Sequence, residues 1–146
     1  MSKFLPIAIL FFLEILGCQN PKFRVEELAG TWVMTGASRP SLPPELQQAS
    51  AKIVLNVNGT FVASNMPGLL YIPPSRPRMD SGSGVWTLVS RDGEQHLQLN
   101  FRFIADSNQS VPFGTQVSIS RGRSVPTLYY FLGDADEGRR IEFERK

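Results

Sequence analysis

From Gln95 to Phe103 the chain places an apolar residue at every second position, with Leu97, Leu99, Phe101 and Phe103 alternating with Gln98, Asn100 and Arg102. A period of two belongs to a strand with one buried face, because successive side chains of an extended chain point to opposite sides of a sheet. The four apolar residues are therefore expected inside and their polar neighbours in water, with His96 on the wet side. Comparable runs recur at Gly30–Met34, Ala51–Val57, Thr60–Met66, Gly84–Ser90, Thr115–Ser120, Thr127–Leu132 and Arg139–Arg145. Gly, Pro, Asn and Asp separate them, which is the pattern of an all-β antiparallel domain.

The connections have turn chemistry of their own. Asn58-Gly59 is expected to make a two-residue hairpin turn, since both residues tolerate positive φ. A second hairpin is expected around Arg91-Asp92-Gly93-Glu94 and a third turn at Asp134–Gly138. Helical signals are confined to one turn at Val25–Leu28 and a short stretch at Pro44–Ala49. Eight strands with short links suit a single eight-stranded antiparallel up-and-down barrel, whose closure removes the sheet edges that invite aggregation.

The N-terminus has a different character. Met1-Ser2-Lys3 gives a positive start, Phe4 to Leu16 an apolar stretch, and Gly17 a small residue, the layout of a secretory signal. As a helix, Phe4 to Gly17 reaches only about 21 Å against a hydrocarbon core of about 30 Å, too short to span a membrane. Ile15-Leu16-Gly17-Cys18 resembles the lipobox of bacterial lipoproteins. That resemblance implies a signal peptide over residues 1–17, acylation of Cys18, a tether over 18–24 and a folded domain over 25–146. A plain secreted chain and a buried N-terminal helix are the competing readings. Gln19, where many Gram-negative lipoproteins retained at the inner membrane carry Asp, implies the outer membrane, facing the periplasm. Cys18 is the sole cysteine, so no internal disulfide exists and acylation would remove a thiol that is a liability in an oxidising compartment.

Leu28-Ala29-Gly30-Thr31-Trp32 resembles the Gly-x-Trp opening of lipocalins and of small bacterial lipocalin-like (calycin-type) domains. Leu55–Phe61 resembles their Asn-Gly hairpin, and Gly84-Val85-Trp86-Thr87-Leu88 their mid-chain Gly-x-Trp strand. The resemblance implies a barrel closed at one end by Trp32 beneath a cation, Arg145, with a stacked contact between them; the competing reading makes Trp32 ordinary core and Arg145 a frayed, solvated end. Arg121-Gly122-Arg123-Ser124 stands where lipocalins carry a Thr-Asp-x-x-x-Tyr motif.

Little in the chain suggests chemistry. His96 is the one histidine, which excludes a His-based triad on the wet face of a strand and leaves zinc without its three or four N or S ligands. Asp134–Gly138 lacks the Glu that an EF-hand requires, since Arg145 occupies the twelfth position. Ser81-Gly82-Ser83-Gly84 lacks the Lys of a phosphate loop and leads into a strand, so it is expected to be a flexible entry to that strand. No catalytic residue, metal or cofactor is expected. Basic and acidic residues number 15 and 13, with the arginines dispersed, which argues against a nucleic-acid partner.

The candidate site is instead the long Pro67–Gly82 loop, where Leu69, Leu70, Tyr71 and Ile72 precede Pro73-Pro74-Ser75-Arg76-Pro77-Arg78. These four apolar residues are expected either to form a rim that meets a ligand or partner, or to tuck into the barrel mouth as a plug. The Thr35–Ser50 loop, with Arg39-Pro40 and Pro43-Pro44, is expected near the same rim. The function implied is a monomeric, lipid-anchored envelope barrel that binds a small hydrophobic ligand. The alternative is a filled barrel whose loops bind a protein, as inhibitors and envelope assembly factors do. A cavity of about 300 Å³ or more separates the two.

Overall fold

The computed structural model describes residues 22–70, 78–105, 113–122 and 125–146. Cys18, Tyr71, Ile72, Arg76 and Arg123 lie outside them, as does the whole proposed signal segment. The described chain forms a closed barrel of eight strands in sequence order, the architecture the alternation predicted. The strands are β1 (Gly30–Met34), β2 (Lys52–Leu55), β3 (Thr60–Pro67), β4 (Met79–Arg91), β5 (Glu94–Ile104), β6 (Phe113–Arg121), β7 (Pro126–Phe131) and β8 (Arg140–Arg145). All neighbours are antiparallel, and β8 closes onto β1 through Trp32–Arg145, Val33–Glu144 and Met34–Phe143.

One helical turn, α1 (Val25–Leu28), precedes β1. The helical signal after Pro44 amounts to a single 3₁₀ turn, Pro44–Leu46, and a second 3₁₀ segment, Gly36–Ser41, stands before it.

The turn between β2 and β3 is one residue longer than the expected two. Between β2 and β3 the loop holds three residues, Val57 to Gly59, because Gly59 N–H bonds Asn56 O and Asn56 N–H bonds Thr60 O. Only Gly59 takes positive φ there, at 80°, the geometry of a type I turn followed by a glycine bulge. The two-residue turn is at Asp92-Gly93, with φ of 53° and 82°, between paired Arg91 and Glu94. Both residues being left-handed, it is a type I′ turn, whose twist matches that of the strands.

A bulge reshapes the wall between β4 and β5. Ser83 pairs with Phe103 but Gly84 with Phe101, so Arg102 is an extra residue in β5. The bulge inverts the alternation beyond it: Ile104 turns inward and Phe103, expected inside, is 62% exposed. Gly82 and Gly84 are not a flexible entry but part of β4, which begins at Met79. A Cβ on Gly82 would lie 2.7 Å from the Phe101 ring, and one on Gly84 would collide with the Asn100 carbonyl. The missing side chains let β4 and β5 approach at the bulge and give Phe101 its place in the core.

Candidate functional site

The barrel interior comes first, because its volume decides between the two expected functions. Every strand contributes inward apolar side chains, and Trp32, Ile53, Leu97, Leu99, Ile141 and Phe143 have no accessible surface. A void able to hold even one water beside them would leave them some. Phe61 and Phe101 meet edge to face at 4.9 Å between centroids, and Tyr130 stacks on Phe143 at 6.0 Å, geometries that aromatic pairs favour. The interior is thus filled by the protein itself, which eight strands permit.

One end of the barrel is closed by the segment preceding β1. Trp32, inward on β1, donates its indole N–H to Leu28 O at 2.9 Å. Arg145, its register partner on β8, donates to Glu27 O at 3.1 Å and to Ala29 O, and its guanidinium lies over the Cβ-free Gly30. The expected pair therefore meets at the barrel end, but by donating into the backbone around α1 rather than by stacking. Among the described residues, guanidinium-over-ring contacts are made by Arg121 on Phe23 at 4.1 Å and by Arg140 on Tyr129 at 3.8 Å.

Phe23, within the expected tether, belongs to this closure as well. Its backbone N–H bonds Gln95 Oε1 at 2.5 Å and its carbonyl accepts from Gln95 Nε2 at 3.2 Å. The inward Gln95 side chain thus clamps the chain onto the barrel at Phe23, two residues before α1.

The opposite end is stoppered by the loop that sequence reasoning singled out. Leu69 and Leu70 are 7% and 4% exposed, so they serve as a plug and offer no rim. Three contacts hold them: Tyr130 Oη donates to Pro67 O at 2.8 Å, Gly68 N–H to Arg78 O at 2.6 Å, and Leu70 N–H to Asp80 Oδ2 at 3.2 Å. Asp80 is itself buried, and its other oxygen accepts from Arg78 Nε at 2.9 Å. Burial, together with the Asp80 carboxylate, pushes the Tyr130 phenol well above the usual tyrosine range and keeps it a neutral donor. Neither Asp80 nor Tyr130 stands out in the sequence, since each gains its role only when the mouth closes.

His96 is half-buried on the outer wall, its Nδ1 3.4 Å from Ser118 Oγ, with no carboxylate partner among the described residues. Among the described residues no group of three or more His, Cys, Asp or Glu could hold a metal, and no helix is long and apolar enough to cross a membrane.

Clefts among the described residues mark the outside. One, of about 470 Å³, lies at the closed end beside Phe23, Gln95, Arg121 and Tyr129. Another, of about 400 Å³, is lined by Val33, Met34, Arg39, Lys52, Ser64 and Asn65 among others. Compared with known proteins, the chain matches no family model, no curated protein and no solved structure.

Proposed function

We propose that this chain is a lipid-anchored cell-envelope protein whose filled barrel is a rigid scaffold that binds another protein through its outer surface. The filled interior carries the reading. A barrel that holds a small hydrophobic ligand needs an internal cavity, whereas here aliphatic and aromatic side chains occupy that space and Leu69 and Leu70 stopper its mouth. Rigid walls with the chemistry moved outside are what a protein-binding module requires.

The anchor is Cys18. Phe23, which packs against the barrel, follows it by five positions, and five chain steps span at most about 18 Å when fully extended. Anchorage there holds the closed end towards the bilayer and turns the stoppered end and side walls to the aqueous side. Two or three acyl chains, as lipoproteins carry, make such attachment permanent, because each buried methylene contributes about 0.8 kcal/mol. The outer membrane, with the domain in the periplasm, is the location that Gln19 implies.

Two measurements test this. Palmitate labelling and membrane fractionation of the wild type and Cys18→Ser should show label and membrane recovery that the variant loses, and unlabelled wild type overturns the anchor. Purification from the native envelope, followed by mass spectrometry of extracted lipids, should find no stoichiometric small hydrophobic molecule. Recovery of one per chain restores the ligand-carrier reading.

A further inference from the structure

We infer that the wall formed by β2 to β5, together with the Arg39–Lys52 cleft beside it, is a docking surface for a protein segment carrying a carboxylate next to apolar side chains. The inference rests on the protein-binding reading above and names the surface and the partner's chemistry.

Charge supports the assignment. Val33, Lys52 and Ser64 form one register row on the outside of β1, β2 and β3, and Arg39 reaches the same cleft from the 3₁₀ segment after β1. Its guanidinium is held there by donation to Gln47 O at 2.6 Å, so Arg39 is positioned before anything binds. Two cations line the cleft and no carboxylate does. The carboxylate nearest in register is Glu144, across Val33 from Lys52, two strand spacings or about 10 Å away. That is roughly a Debye length at physiological salt, and among the described residues neither Arg39 nor Lys52 has an ion-pair partner. An unneutralised cationic pair over partly apolar walls suits an incoming carboxylate.

The neighbouring row says why the ligand is a protein segment. Val54, Val62, Ser83 and Phe103 are paired in line across β2, β3, β4 and β5. Val62 is 47% exposed and Phe103 62%. The row lies next to that of Lys52 and Ser64, and Thr60, Ser64, Ser81 and Val85 around it are uncharged. Phe103 reaches this face only because the bulge at Arg102 turns it out of the core. An exposed aromatic on an uncharged stripe bordered by cations has the composition of an interface core with Arg at its margin. The 400 Å³ cleft has room for one acidic side chain and part of its neighbour, while the stripe continues beyond what a small anion would cover.

The test is site-specific photo-crosslinking in the full, anchored chain in its native envelope. A benzophenone side chain is placed at Val62, at Phe103, and as control at Gln116 on β6, the next strand beyond the wall. The expected result is crosslinking from 62 and 103 to one protein, with the crosslinked peptide holding Asp or Glu beside apolar residues, and a loss of at least tenfold on Lys52→Glu while the thermal midpoint is unchanged. Crosslinks confined to Gln116, indifferent to Lys52→Glu, or made to lipid or to a second copy of this chain overturn the surface. Of these, protein crosslinks from Gln116 leave the broader protein-binding reading standing. Absence of protein crosslinks at all three positions overturns both.

Discussion

Trp32 and Arg145 face one another where β1 and β8 close the barrel, and both donate hydrogen bonds into the backbone of the segment Glu27–Ala29. Two residues more than a hundred positions apart in the chain thus hold the same helical turn over the barrel end. Trp32→Phe leaves Leu28 O without its buried donor and should cost about 2 kcal/mol. Arg145→Ala, at a more exposed site, should cost about 1 kcal/mol. Because both act on α1, their effects in urea unfolding should couple by about 0.5 kcal/mol or more, and strict additivity would contradict a shared role.

Stability should fall at alkaline pH through Tyr130. Its folded-state pKa is raised by burial and by Asp80, whereas in the unfolded chain a tyrosine titrates near 10. The contribution is therefore fully present below about pH 10 and lost as pH rises towards the folded value, at up to about 1.4 kcal/mol per pH unit. Tyr130→Phe should remove that slope while costing about 1 kcal/mol at neutral pH, because Pro67 O loses its donor. Chemical denaturation of both proteins between pH 7 and 11 measures this, and equal slopes count against it.

Gly84→Ala should be among the most damaging single-methyl insertions, since the new Cβ would meet the Asn100 backbone and no flexible side chain could yield. A loss of about 3 kcal/mol or more is expected. Gly36→Ala is the control, with nothing within 4 Å of its Cβ position. Thermal unfolding of the pair should show a depressed midpoint for Gly84→Ala alone.

A filled interior predicts its own exception. Phe61→Ala removes a ring packed edge to face on Phe101 and should cost about 3–5 kcal/mol while leaving a dry apolar cavity. The variant should bind benzene or xenon, and the wild type should not. Wild-type binding inside the barrel, read by NMR shifts at Leu97 and Ile141, would refute the packed core.

How much of this was legible beforehand follows from what is local and what is not. Strand period and turn residues are local, so β1 and α1 were read with the ends they have, and an eight-stranded up-and-down barrel followed from the count and the short links. The side on which Phe103 lies depends on the pairing of β5 with β4, because a single extra residue at Arg102 inverts the pattern on paper. Gly82 and Gly84 looked like flexibility and turned out to be clearance for Phe101 and the β5 backbone, which no window of one strand reveals. The same limit applied to the turns, where Gly59 and the Asp92-Gly93 pair differ through the register of their flanking strands.

The sequence by itself determined an all-β chain with an apolar N-terminal stretch before its one cysteine, a single histidine, and an apolar loop in need of a place. Tertiary structure decided what fills the barrel, what stoppers its mouth and which apolar residues remain outside. The reason is physical: alternation records only that a residue has a buried side, while volume, register and closure arise from strands distant in sequence that meet only when β8 pairs with β1.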